Sequence, residues 1–242
     1  MSIKNFFTKA KNVFLDALFP EDIKCILCDK DISNPDNPIC NECLKEDIFN
    51  SGARCQVCDD SIKEGNIICD NCKQNKRYFE KCVCPFVYKD KIRKSILKFK
   101  SDNGLYLAKH YAKFMYEQLE KENIKFDIIV PVPSHKSTIS KRGYNPAKVL
   151  ADQISSLSGK PVKEVLVKNI KTKNQKLLSA SLRQENLKDS IVLTDKSAIK
   201  NKTILLVDDV VTTCATINTC SNLLVTAKKI YVTAIARNHI HS

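Results

Sequence analysis

The chain has 242 residues, more than one average domain and enough for a sizeable core. Its formal charge of +13 comes with twelve cysteines. No apolar run approaches the ~18 residues that span a bilayer, and the N-terminus lacks the pattern of a secretory signal. A transmembrane segment is therefore not expected, a reducing cytoplasm is, and clustered cysteines there point to metal rather than disulfides.

The charge is unevenly spread. Residues 1–80 carry 11 Lys/Arg against 14 Asp/Glu, a balance of −3, and the other 162 residues carry 29 against 13, a balance of +16. A basic second part suits a polyanion, either a pyrophosphorylated sugar or nucleic acid. A lysine-rich solvated surface is the plain alternative.

In chain order, residues 3–19 place Ile3, Phe6, Phe7, Ala10, Val13, Phe14, Ala17 and Leu18 on one helical face, and Pro20 ends the helix. The expected role is docking on the chain's own globular part. Peripheral contact with the inner face of the membrane, helped by Lys4, Lys9 and Lys11, is the alternative. Four C-x-x-C knuckles follow: Cys25/Cys28, Cys40/Cys43, Cys55/Cys58 and Cys69/Cys72, separated by eleven, eleven and ten residues. A knuckle puts two thiolates on one side of a tetrahedral Zn²⁺, so four knuckles imply two structural zincs. We pair them sequentially, with a cross-braced arrangement as the alternative. The polar, turn-rich segments between knuckles cannot build an apolar core, so metal must supply most of the folding energy. Cys82 and Cys84 are surplus to two zincs and read as small core or linker residues.

Beyond the knuckles, strands are expected at 84–88, 127–132, 191–194, 204–207 and 230–236, and helices at 92–100, 104–122 and 145–157. Such alternation predicts an α/β fold with a mainly parallel sheet. The domains expected are residues 1–20 as an amphipathic helix, 21–80 as the zinc-binding part and 81–242 as the α/β part.

Three segments carry chemistry. Ile204–Thr216 reads ILLVDDVVTTCAT: a buried strand, then Asp208 and Asp209 where it ends, then a hydroxyl-rich turn leading into a helix. Ligands bind at the carboxyl ends of strands in open α/β sheets, and a helix N-terminus offers free N–H groups to phosphate. Two carboxylates beside a phosphate cradle fit a ribose with its hydroxyls, usually with Mg²⁺. The string resembles the phosphoribosyl-pyrophosphate (PRPP) motif of type I phosphoribosyltransferases. That resemblance implies Asp208 and Asp209 on the ribose hydroxyls, and Val210, Val211, Thr212, Thr213, Cys214, Ala215 and Thr216 around the 5′-phosphate. In the segment 128–151, Pro133, Ser134, His135, Lys136 and Arg142 are candidates to hold pyrophosphate. Residues 169–188 carry five cations and sit where such enzymes have a closing loop, from which Arg183 and Lys176 would reach the pyrophosphate.

Double zinc knuckles, then PVP…KRGYN, then Gln175, Leu178, Arg183 and Asn186, then VDDVVTT, together resemble the ComF competence-protein family. The resemblance implies a small N-terminal double zinc ribbon followed by a type I phosphoribosyltransferase-like domain. It also implies a role for the protein with single-stranded DNA in natural transformation. One departure is Cys214, where the family's glycine is expected; a left-handed backbone there would suit cysteine less well, so mildly weakened phosphate binding is expected, with a slightly opened loop as the alternative. A thiol at that helix N-terminus is also a candidate for a lowered pKa. Two functions compete. One is a non-enzymatic accessory protein that binds PRPP or DNA phosphates and assists single-strand uptake. The other is an active phosphoribosyltransferase of nucleotide metabolism, for which residues 237–242 look too short to supply an acceptor hood. Recruitment of a helicase or recombination protein through the ribbons is a third, weaker reading.

Overall fold

The structure is a computed structural model that describes residues 24–32, 37–101, 104–168 and 191–239. The amphipathic segment 3–19 and the segment 169–188 lie outside the described residues. Chain contacts divide the protein into two compact units, residues 1–47 and 48–242.

The described part of the first unit is one ribbon. After Cys25–Cys28, Asp29 turns into the left-handed region (φ 59°) and donates its N–H to Cys25 O at 2.9 Å. Cys25 N–H returns to Lys30 O at 2.7 Å, and Lys24 bridges Asp31. A four-residue helix α1 (Asn41–Leu44) starts directly after Cys40.

The second unit opens with the same motif. Cys25, Cys28 and Asp29 are each matched thirty positions later by Cys55, Cys58 and Asp59. Asp59 is again left-handed (φ 62°), Cys55 N–H bonds Asp60 O at 2.8 Å, and Arg54 bridges Ser61. Helix α2 (Asp70–Gln74) follows Cys69 as α1 follows Cys40. The chain then enters β1 (Lys81–Val83), β2 (Phe86–Val87) and two helices, α3 (Asp90–Phe99) and α4 (Leu107–Lys121).

Strand β3 (Ile128–Pro131) leads to α5 (Lys136–Arg142) and α6 (Pro146–Ser158), and β4 (Leu166–Lys168) pairs antiparallel with β5 (Ile191–Leu193). The core strand β6 (Thr203–Val207) is followed by β7 (Val210–Val211), helix α7 (Ala215–Leu223), β8 (Lys229–Thr233) and β9 (Ala236–Arg237). The main sheet has the order β1-β8-β6-β3 and every pairing in it is parallel. Near-continuous apolar strands such as Ile204–Val207 are what a sheet covered on both faces requires. Helices α4 and α6 pack together, with α6 against β3 and β6.

Three neighbouring strands break at one level. Cys84-Pro85 separates β1 from β2, Ala234-Ile235 separates β8 from β9, and Asp208-Asp209 separates β6 from β7. Beyond the break the pairing resumes in the order β2-β9-β7, again parallel. Where the sequence suggested a strand over 84–88, only Phe86–Val87 is one, and β1 just before it was not anticipated because Lys81-Cys82-Val83 is too short to show a period. Lys136–Arg142, expected as loop, is helical.

The Arg142–Asn145 string ties this frame together. Gly143 (φ 83°) caps α5 in the left-handed conformation, which favours glycine. The Tyr144 hydroxyl donates to Phe99 O and, at 3.2 Å, to Ser101 O. Asn145 caps α6, accepting from Ala147 N–H at 3.1 Å and donating to Val132 O at 3.0 Å. Gly104 is sterically required, because a Cβ there would stand 2.0 Å from Lys98 O. Asn145→Ala should lower stability by about 1–2 kcal/mol in denaturant titrations at fixed zinc, while Asn145→Asp, which keeps the cap acceptor but loses the donor to Val132 O, should recover only part of it.

Candidate functional site

The aspartate pair occupies the break in the central strand. Asp208 N–H stays bonded to Thr233 O at 3.0 Å and Asp209 O accepts from Ile235 N–H at 3.1 Å, so the backbone remains anchored on one neighbour through the break. Asp208 also accepts from Asp209 N–H at 2.8 Å, and Asp209 Oδ1 pairs with Lys100 Nζ at 2.6 Å. Burial, and then the neighbouring Asp209 charge, push the Asp208 carboxyl up to about 7, against smaller opposing effects that include Lys100 and Lys168.

The hydroxyl turn follows directly. Thr212 and Thr213 are exposed, whereas Cys214 is buried with φ 65°, the left-handed backbone anticipated from the missing glycine. Helix α7 begins at the next residue, and Thr213 Oγ1 accepts from Ala215 N–H at 3.4 Å. An exposed hydroxyl turn before a nine-residue helix is suited to an anion. The Cys214 thiol is not activated: its hydrogen bond with Cys58 and its burial hold it above the ordinary range.

A basic cleft of about 410 Å³ is lined by Lys100, Ser101, Ser137, Thr138, Lys141 and Arg142. It brings Arg142 beside Lys100, the partner of Asp209, which the sequence reading had missed. Ser134 faces inward and donates to Asn145 Oδ1 at 2.8 Å. His135 caps α5 through Ser137 N–H at 3.3 Å, Pro133 is half-buried, and Lys136 is exposed at the start of α5 and does not line the cleft. Arg183 and Lys176 lie outside the described residues.

The cysteines form two groups in sequential pairing: Cys25, Cys28, Cys40 and Cys43, then Cys55, Cys58, Cys69 and Cys72, with the four sulfurs of each within 4.8 Å of one another. Sulfur separations of 3.7 Å (Cys28–Cys40) and 3.5 Å (Cys58–Cys69) match the roughly 3.8 Å edge of a tetrahedron with ~2.3 Å Zn–S bonds. Amide donors support the sulfurs, Cys40 N–H to Cys25 Sγ at 3.4 Å and Cys69 N–H to Cys55 Sγ at 3.3 Å. Arg77 Nε reaches Cys72 Sγ at 3.3 Å, bringing positive charge to the second group, which would be formally −2 when loaded. Both groups thus fit structural zinc. Cys82 and Cys84 are fully buried in the core and belong to neither group.

Sequence reading also missed Arg237, Asp60 and Arg77. Only the place of Arg237 directly after a strand hinted at it; a buried arginine in an apparent tail has no sequence signature.

A parallel sheet with paired aspartates and a phosphate-type turn, preceded by two four-cysteine groups, defines a phosphoribosyltransferase-type protein with zinc ribbons. Residues 102–236 match the family model of the phosphoribosyl transferase domain, and residues 14–73 that of the double zinc ribbon domain. The chain is 30% identical over 208 residues to Competence protein F of Haemophilus influenzae, covering 83% of this chain and 90% of that protein. It is 26% identical over 201 residues to Competence protein ComFC of Streptococcus pneumoniae, covering 83% and 80%. With Competence protein ComFC of Bacillus subtilis the identity is 22% over 218 residues, covering 83% and 88%. The chain belongs to the ComF competence-protein family. No helix among the described residues is long and apolar enough to cross a membrane.

Elemental analysis should find two zinc ions per chain, and Cys25→Ser with Cys28→Ser should leave one. Full chelation should lower the unfolding temperature sharply; an unchanged melting curve for the metal-free chain would contradict structural zinc.

Proposed function

We propose that the protein binds PRPP, or a related phosphorylated ribose, along Asp208–Thr216 and acts as an accessory factor for single-stranded DNA in the cytoplasm during natural transformation. The observation that carries the first half is the pair of half-buried carboxylates at the break in the central strand, three to five residues ahead of the exposed Thr212 and Thr213 hydroxyls and six to seven ahead of a helix N-terminus. On this reading Asp208 and Asp209 accept hydrogen bonds from the ribose hydroxyls. Val210 to Thr216 hold the 5′-phosphate through N–H and hydroxyl donors. Ser134, His135 and Arg142, with Pro133 shaping the turn and Lys136 nearby, serve the pyrophosphate end, and Arg183 would approach from the segment 169–188. The oxygen donors of the aspartates and the ligand suit a Mg²⁺ arriving with PRPP, which would offset the pyrophosphate charge. Lys100 holds the place of a cation against Asp209 in the free protein.

The second half rests on charge and on kinship. Lys100, Lys141 and Arg142 line one cleft, the chain from residue 81 carries a balance of +16, and the relatives bear competence names. A strand of phosphates in that cleft would lie beside the ribose site, so the two ligands should compete.

The test is titration with PRPP·Mg²⁺ and with single-stranded DNA, separately and together. PRPP binding is expected to vanish in Asp208→Asn/Asp209→Asn. DNA binding should weaken with salt and in Lys141→Glu/Arg142→Glu, and each ligand should reduce the affinity of the other. Absence of PRPP binding would contradict the pocket, and absence of DNA binding at low salt the accessory role. Release of pyrophosphate in the presence of an acceptor would make the protein a transferase instead.

A pH dependence follows from Asp208. Its folded pKa is raised, so the native state favours the protonated acid and loses stability as pH climbs from the ordinary carboxylate range through about 7. The ionised form accepts the stronger, charge-assisted hydrogen bonds from ribose and suits the accompanying Mg²⁺. PRPP·Mg²⁺ affinity should therefore rise by about tenfold between roughly pH 6 and pH 8, and calorimetry on Asp208→Asn should show a flatter profile than the native chain.

A further inference from the structure

Arg237 is fully buried and its guanidinium faces two sites at once. Nη1 donates to Val211 O at 3.1 Å and to Thr212 O, the first carbonyls of the hydroxyl turn. Nη2 donates to Asp60 Oδ2 at 2.9 Å and stands 3.9 Å from Cys58 Sγ, a member of the second cysteine group. Asp60 is itself fixed, its other oxygen meeting His239 Nδ1 at 2.8 Å and Ser61 N–H at 3.1 Å.

Further ties run alongside. Cys214, the left-handed residue before α7, lies in the same buried cluster as Cys58. Asn218 on α7 donates to Lys76 O at 3.0 Å and accepts from Tyr78 N–H at 3.1 Å, just beyond the second ribbon. The two ribbons differ at the position that matters here. Asp60 is buried, whereas its counterpart thirty positions earlier, Lys30, is exposed and pairs with Glu42.

A planar guanidinium with no access to water must keep its counter-charges, because stripping them leaves a buried cation uncompensated. A zinc-loaded second group supplies negative charge beside Arg237, in addition to Asp60. Loss of the metal lets the four thiolates take up protons from water and become neutral thiols, which removes that charge, and the relaxation of Arg237 would carry the Val211 and Thr212 carbonyls with it. The converse holds by linkage: a ligand that fixes the turn also fixes Arg237.

We infer that Arg237 is a positioning residue that couples the second zinc site to the phosphate turn. Metal at Cys55, Cys58, Cys69 and Cys72 keeps Val210–Thr216 in its binding conformation, and a phosphorylated ribose in the turn retains that metal. The inference rests on the reading of the turn as a phosphate site and extends it to the role of the ribbon.

Zinc release to a colorimetric chelator tests it, with ribose 5-phosphate as the probe and its binding measured separately by calorimetry. In the native chain, saturating ribose 5-phosphate should slow the release of one of the two zincs by about fivefold or more. The effect should persist in Cys25→Ser/Cys28→Ser, disappear in Arg237→Met and return in part in Arg237→Lys. The native-chain comparison stands even if a variant fails to fold. Ribose 5-phosphate that binds yet leaves both release rates unchanged would overturn the coupling while sparing the phosphate site. So would protection that survives in Arg237→Met or vanishes in Cys25→Ser/Cys28→Ser. No binding of ribose 5-phosphate at all would overturn the phosphate site, and the coupling with it.

Discussion

The site depends on a break shared by three parallel strands. A strand that simply ended after Val207 would leave two adjacent carboxylates on a free turn, with side chains on opposite sides of an extended chain. Here the backbone stays bonded to its neighbour on both sides of the break, through Asp208 N–H to Thr233 O and Ile235 N–H to Asp209 O. The pairing resumes at Val210–Val211. Both aspartates are therefore placed by the sheet, at the level where α/β sheets bind ligands. The same break sets the start of the hydroxyl turn, because only two strand residues separate Asp209 from Thr212.

The surrounding basic residues are held from the opposite wall. Tyr144 fastens the carbonyls of Phe99 and Ser101, and Lys100 between them reaches Asp209. Phe99 in turn packs against Tyr111 and Tyr144, with ring centroids 6.1 and 6.2 Å away. Tyr144, the aromatic residue of the KRGYN string, thus holds the backbone on either side of Lys100. The second ribbon belongs to the same construction. Its Cys55, Cys58 and Cys69 share a buried cluster with Cys82, Cys84, Cys214 and Cys220, so the metal site and the turn have a common core. A repeated local motif has been used twice with different surroundings, exposed around Asp29 and Lys30 and buried around Asp59 and Asp60.

Much of this was legible in the sequence where the physics is local. Knuckle spacing forecast two sequential cysteine groups, since four thiolates on short turns have few ways to surround one ion. The apolar run before Asp208 announced a buried strand, and the glycine expected at 214 pointed to a left-handed backbone, which cysteine adopts there. The limits were equally physical. Lys81–Val83, Leu166–Lys168 and Val210–Val211 are too short to show a period, and Lys136–Arg142 lacks an apolar face, so these three strands and this helix went unread. Lys100 and Arg237 act through partners over a hundred positions away, 209 for the first and 60 for the second. A Cys214 thiol held by Cys58 could not be foreseen from its place at a helix start, which by itself argued for activation.

The most direct test of the account is a crystal structure of the protein with ribose 5-phosphate bound. The account predicts the phosphate against Thr212–Thr216 and both ring hydroxyls on Asp208 and Asp209, with Lys100 shifted from Asp209. Phosphate density confined to the Lys100–Arg142 cleft, with the aspartates untouched, would contradict it.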